Sequence, residues 1–341
     1  MPAIPPHMPP QASPDDVPSP PRLPSESRPG SVRLQVADLS RSLAWYGDLL
    51  GMRVLESSRG ESGPGWARLG AHGEASVPAP GSPQRAEPLA PSDVPQNAQS
   101  QAPLATHLVE LVECPGAAPV PRRGHLGLYH VALLLPDRAS LGRFVAHLAR
   151  LRIPVGSADH LVSEALYLND PDGLGIEVYA DRPRASWRRT PTGEVAMATD
   201  PLSLDDLVQA GGGVPWRGLP SGTRVGHLHL HVGDLQAAEA FYAQALGLDV
   251  QVRSYPGALF LSAGGYHHHL GLNTWARSAA PAGPDEARLL SWSLVLPHAG
   301  EVEVALRRME SAGYSVVRTA QDVGRISDPW GTVLELQAMA G

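Results

Sequence analysis

The chain has 341 residues, 43% of them hydrophobic and 18% charged, with a net charge of −7. This length suits two domains better than one core, and the acidic balance offers no basic field for a phosphate backbone, which argues against a nucleic-acid partner. All 27 basic residues are arginine and Cys114 is the only cysteine, which excludes lysine Schiff-base and P-loop chemistry, an intrachain disulfide and a thiolate metal cluster. No apolar run is long enough to span a bilayer, so no membrane partner is expected, and a cytoplasmic protein is.

In chain order, residues 1–30 are proline-rich and lack apolar periodicity, which predicts a disordered tail. A strand is expected from Ser31 to Val36, then a helix capped by Asp38, with Leu39, Leu43, Tyr46 and Leu50 as its apolar stripe and Gly51 as its left-handed stop. A second proline-rich tract, about 75–103, reads as a disordered insertion, because periodic apolar sequence resumes at His107–Val112. Strand Leu128–Leu135, a helix from about Asp137 to Leu151 and the strand–turn–strand Tyr167–Tyr179 follow. Residues 183–223 are polar and turn-rich and read as a linker, with short helical pieces around Leu202–Val208.

The remainder repeats what came before. Val36-Ala37-Asp38-Leu39 is matched by Val232-Gly233-Asp234-Leu235, and Leu50-Gly51 by Leu246-Gly247. Leu133–Pro136 is matched by Leu294–Pro297, and the turn Asp170–Gly173 leading to Glu177 by Asp328–Gly331 leading to Glu335. Four strand–helix–strands modules result, each burying one sheet face under a helix and leaving the other concave and open.

Histidines concentrate at two places. In Gly226–Val232, alternation puts His227, His229 and His231 on one face and Leu228, Leu230 and Val232 on the other. In Tyr266–Trp275, taking Leu270 and Leu272 as the core face groups His268 with them and leaves His267, His269 and Asn273 on the polar side. His229 and His231 stand about 7 and 14 Å along the strand from His227, too far to share its metal.

These motifs, with Gly127–His130 and Asp159–Leu168, resemble the vicinal oxygen chelate superfamily of glyoxalases, bleomycin and fosfomycin resistance proteins and extradiol dioxygenases, and look most like the catechol 2,3-dioxygenase type. The resemblance implies an α+β fold of four βαβββ modules paired into two cup-like half-barrel domains. The expected boundaries are an N-terminal domain at 31–182 and a C-terminal domain at 224–341 carrying the metal. It implies an extradiol ring-cleaving dioxygenase acting on a catechol-like diol with O2 at a non-haem Fe(II), with Mn, Zn or Ni as alternative metals. The implied ligands are His227, His269 and Glu335, with His267 as the substitute for His269, a two-histidine, one-carboxylate set. The ring-cleaving relatives' second histidine position is Ser291 here, and His130 with Glu177 forms a competing set in the N-terminal half. His229 is the expected acid–base residue, and Tyr266, with Tyr255 and Asn273, an expected donor to the bound diol. A glyoxalase-like isomerase or transferase and a metal-free ligand-sequestering protein are the alternatives. Exposed sheet edges would allow a homo-oligomer.

Overall fold

One local instruction recurs along the chain. Asp38, Asp137 and Asp234 each sit before a helix, and each carboxylate accepts a bond from the backbone N–H three residues on, at 2.9, 2.7 and 2.7 Å. Each satisfies a donor that a helix start leaves unpaired. The computed structural model describes residues 22–58, 63–71, 107–319 and 323–339. The first module comprises β1 (Arg28–Val36), α1 (Leu39–Ala44, continued by a π-helical turn), β2 (Arg53–Ser58), β3 (Trp66–Gly70) and β4 (Val109–Glu113). The second comprises β5 (Gly127–Leu134), α2 (Arg138–Leu151), β6 (Gly156–Asp159), β7 (Ser163–Asn169) and β8 (Gly175–Asp181). After α3 (Leu204–Ala210) come β9 (Arg224–His231), α4 (Leu235–Glu239, also with a π-helical turn), β10 (Asp249–Val252), β11 (Ala258–Ser262) and β12 (Leu270–Asn273). The fourth module is β13 (Arg288–Leu296), α5 (Ala299–Ser311), β14 (Val316–Arg318), β15 (Gly324–Ser327) and β16 (Val333–Ala338).

In every module the first and last strands lie side by side and parallel, and modules join through antiparallel pairing of their first strands. The fold is the expected one of four modules in two half-barrels. The partners differ from expectation. One eight-stranded sheet runs β14-β15-β16-β13-β1-β4-β3-β2 and the other β10-β11-β12-β9-β5-β8-β7-β6. The first module therefore pairs with the fourth and the second with the third, so residues 31–182 and 224–341 are not two separate cups. The repeat could not reveal this, because every module presents an equivalent first-strand edge.

The helix-covered faces of both sheets share one apolar core, to which β5 contributes Val131 and Leu133 and β9 contributes Leu228 and Leu230, all fully buried. Buried tyrosines tie the two modules of each half together across the sheets. Tyr46 O–H donates to Asp170 at 3.3 Å, and Tyr242 O–H donates to Asp328 at 2.9 Å.

Burial pushes the Asp170 carboxyl up to about 7, against the backbone N–H groups of Leu174 and Asp172 that favour its ionised form. A carboxyl whose folded pKa lies above its unfolded value binds more protons when folded, so its contribution falls as pH rises from about 4 to about 7. We expect wild-type stability to decline across that window by on the order of 2–4 kcal/mol more than that of Asp170→Asn, read as Tm against pH. Equal slopes would show that Asp170 does not carry the effect.

Two sequence expectations change at the segment level. Residues 1–21 of the expected tail and the tract at 75–103 lie outside the described residues. Within 22–30, however, Leu23 is buried, its N–H donates to the Gly247 carbonyl at 2.9 Å, and β1 already begins at Arg28. A single apolar anchor in a proline-rich run escapes a compositional reading. The expected linker at 183–223 is likewise built into the structure. Ser203 caps α3, Leu207 is fully buried, and α3 lies so close to α2 that a Cβ at Gly142 would fall 1.9 Å from the Leu207 carbonyl oxygen.

Candidate metal centre

The β5–β9 seam has its helix-covered side packed with aliphatics, so alternation sends His130, His227 and His229 to the concave side. Two irregularities in that seam shape the cup. Register shifts between Leu128 and His130, which brings the Tyr129 ring to 4.9 Å from that of His130, on a face strict alternation would deny it. It shifts again at Gly226, where a Cβ would lie 1.9 Å from the Tyr179 hydroxyl oxygen. Only glycine admits that tyrosine beneath the strand.

At the bottom of the cup, His130, Glu177 and His227 bring one ligand atom each to within 4.8 Å of one another. All three are buried, at 5%, 2% and 2% exposure. Glu177 reaches this point because β8 runs parallel to β5, with Glu177 opposite Ala132, which in turn faces His227 across the seam. His227 Nε2 lies 3.2 Å from Glu177 Oε2 and His130 Nε2 lies 2.9 Å from the same oxygen, but the His130 contact lacks hydrogen-bond alignment and leaves that nitrogen without a partner. Burial lowers the His227 pKa to about 4, against the pull of Glu177. Burial pushes Glu177 up, but the imidazoles of His227 and His130 outweigh it and hold the carboxyl well below its ordinary range. An uncharged imidazole and an ionised carboxylate, converging with a second, unpartnered imidazole nitrogen, make a donor set that fits a divalent cation.

Around the triad lies a cavity of about 220 Å3 walled by Tyr129, His229, Tyr255, Phe260, His268 and Trp275. His160 and Tyr167 also line it. His160 Nδ1–H donates to the Ala198 carbonyl at 2.7 Å, which leaves Nε2 to accept from the Tyr167 hydroxyl at 2.5 Å. The Asp159–Leu168 motif therefore supplies the cup wall, and the segment expected as linker supplies part of its cover through Met197, Ala198 and Thr199.

Of the residues singled out in the sequence, the structure brings His227 and His229 into this cup together with His130 and Glu177 of the competing set. Glu335 lies in the other sheet, on β16, paired with Arg325 at 2.8 Å. His269 is buried outside the cup, stacked on Tyr266 at 4.9 Å, and its Nδ1 accepts from the Ala263 N–H at 3.2 Å. Tyr266 does not line the cavity; its hydroxyl lies 2.8 Å from the Tyr179 hydroxyl and donates to Asp181 at 2.9 Å. His267 is bonded to the same carboxylate through Nε2 at 3.0 Å.

His268, which parity assigned to the core, faces the cup, its ring 4.1 Å from that of His227. Parity fails there because Gly264 and Gly265, at φ +61° and +67°, break the strand before β12 starts at Leu270.

A family model described as "Glyoxalase/Bleomycin resistance protein/Dioxygenase superfamily" matches residues 28–178 and 224–336. The chain belongs to this superfamily. Within the superfamily it is 40% identical over 303 residues to a catechol-2,3-dioxygenase of Bacillus subtilis (strain 168), covering 88% of this chain and 93% of the relative. Two solved structures share the fold. One, from Bacillus subtilis subsp. subtilis str. 168 and described as a dioxygenase only provisionally, has 13% identity and a TM-score of 0.57 over 94% of this chain and 87% of its own. The other, a glutamate-to-glutamine mutant of glyoxalase I from Zea mays, has 14% identity and a TM-score of 0.50 over 92% and 94%. The antiparallel β5–β9 seam with β8 parallel beside β5 is what brings two module-first strands and one module-last strand to a single point here.

Proposed function

We propose that this chain is an extradiol ring-cleaving dioxygenase acting on a catechol-like aromatic diol with O2, with His130, Glu177 and His227 holding the metal, Fe(II). The observation that carries this reading is the buried convergence of two histidines and one glutamate at the floor of an aromatic-walled cup, in a chain 40% identical to a catechol-2,3-dioxygenase. When bound by these residues, Fe(II) would supply a Lewis-acid anchor for the diol and redox chemistry toward dioxygen.

The residues do the rest. A cavity of about 220 Å3 admits a single ring between the aromatic walls of Tyr129, Phe260 and Trp275. Asp181 accepts from His267 Nε2–H at 3.0 Å, so His267 Nδ1 is an acceptor and takes the Nδ1–H of His268 at 2.8 Å. That leaves Nε2 of His268 with its lone pair, on a ring that lines the cup. His268 is kept neutral by burial and by the neighbouring imidazoles, and serves as the base that takes a phenolic proton. His229 is held neutral in the same way, and its Nε2 is sealed from water without a partner, which suits it to the wall of the ring slot.

The test combines metal content and turnover on one sample. Protein purified without oxygen and analysed for Fe, Mn, Zn and Ni should carry about one iron per chain. Mixed with catechol and O2, it should consume oxygen and yield a yellow semialdehyde. No oxygen uptake by protein reconstituted with any of these metals would sink the reading.

A further inference from the structure

A second, larger cavity of about 480 Å3 adjoins the cup, sharing Tyr129 and Trp275 as its wall. Those two rings meet edge to face at 5.6 Å and are the exposed aromatics of the region, 40% and 51% accessible. Arg122 and Arg123 also line this outer cavity, and among the described residues no carboxylate lines it. Among the described residues neither arginine forms an ion pair or a side-chain hydrogen bond, in a chain whose net charge is −7.

The arginines are not on a loose loop. They are the two central residues of the turn Pro121–Gly124, closed by the Gly124 N–H donating to the Pro121 carbonyl at 2.8 Å, with Gly124 at φ +73°. The base of the turn is tied down by the Val120 N–H donating to the Asp172 carbonyl at 2.9 Å. Its end rests on His231, whose Nε2 would stand 3.2 Å from a Cβ at Gly124. His231 is itself fixed by a 2.7 Å bond from Nδ1 to Asn273 Oδ1. A rigid turn thus presents two guanidinium groups to a cavity that shares Tyr129 and Trp275 with the ring slot.

We infer that the outer cavity is a subsite for a carboxylate-bearing substituent of the aromatic diol. The ring sits in the inner cup, the arm passes Tyr129 and Trp275, and its carboxylate meets Arg122 and Arg123 in the paired geometry that guanidinium and carboxylate favour. This rests on the dioxygenase reading for the inner cup and adds the class of diol that fills the whole site.

The experiment compares 3,4-dihydroxyphenylacetate and 3-(2,3-dihydroxyphenyl)propanoate with their methyl esters, which keep the ring and arm, lose the charge and add one methyl group. The Fe(II)-loaded wild type should prefer one or both acids over the matching ester by about tenfold in kcat/KM, carried mainly by KM, the size expected of partly exposed charge pairs. In the double variant Arg122→Gln/Arg123→Gln, which changes only a surface turn, that ratio should fall to near unity. An acid-to-ester ratio that is unity in the wild type, or unaltered in the double variant, overturns the proposal. If no diol supports oxygen uptake, the dioxygenase reading fails by itself. Calorimetric binding of the same acids and esters then decides the subsite, with an arginine-dependent acid preference sustaining it and equal affinities ending it.

Discussion

His130→Ala, Glu177→Gln and His227→Ala should each strip the protein of stoichiometric metal and cut turnover of catechol by roughly 10³-fold or more, the equivalent of about 4 kcal/mol of lost transition-state stabilisation. The reason lies in the geometry. Three buried ligand atoms lie within 4.8 Å of one another, and two imidazole nitrogens stand 2.9 and 3.2 Å from one carboxylate oxygen. Removing any one leaves two donors, too few to keep the metal fixed and open on its substrate side. Glu335→Gln is the informative control. That residue belongs to the other sheet and loses only an ion pair with the half-exposed Arg325, so metal content and turnover should stay near wild type. Metal analysis and oxygen-electrode rates on the four variants check the assignment. Loss of metal in Glu335→Gln with retention in Glu177→Gln would place the centre in the wrong sheet.

His268→Asn should separate chemistry from metal binding. The variant should keep about one metal per chain while kcat for catechol falls by about 10²–10⁴-fold, the range a positioned general base contributes. The expected split follows from the hydrogen-bond order Asp181–His267–His268, which dictates that His268 presents an unprotonated Nε2. Asparagine can keep a polar contact with His267 but cannot accept the proton. His229→Asn should lower kcat less, since its Nε2 is closed off within the wall. Single-turnover kinetics under oxygen, with metal content measured on the same samples, read both effects. An unaltered kcat in His268→Asn would remove the residue from the proton-transfer step.

Much of the fold is legible in the sequence because its determinants are local. The helix-capping aspartates, the alternating strands and the Asp–Pro turns before Glu177 and Glu335 recur at matching intervals, and each acts within a few residues of itself. The superfamily is legible as a resemblance carried by module order together with Gly127–His130, Asp159–Leu168 and Tyr266–Trp275, and dioxygenase chemistry is what that resemblance implies. What the sequence withholds is which module-first strand lies against which, since that depends on edges equivalent in all four modules. The consequence falls on the site. His227 is singled out from its strand, but the residues that converge with it, His130 and Glu177, come from the other half of the chain, and Glu335, equivalent to Glu177 within its own module, ends up in the other sheet. Side-chain parity is dependable only where the backbone is a regular strand. It sorts His227, His229 and Asn273 correctly and fails for His268 behind two left-handed glycines, as it does for Tyr129 at the bulge in β5.

The cross-pairing of modules also governs how such a chain can be divided or inherited. Each half donates one module to each sheet, so a break anywhere in 183–223 would leave two fragments, each holding half of two unfinished sheets and part of the His130–Glu177–His227 cluster. Gene fusion or exchange at the repeat boundary would therefore trade neither a domain nor an active site. The two halves share one packing constraint, since positions along the β5 seam face β9 from the other side of the repeat.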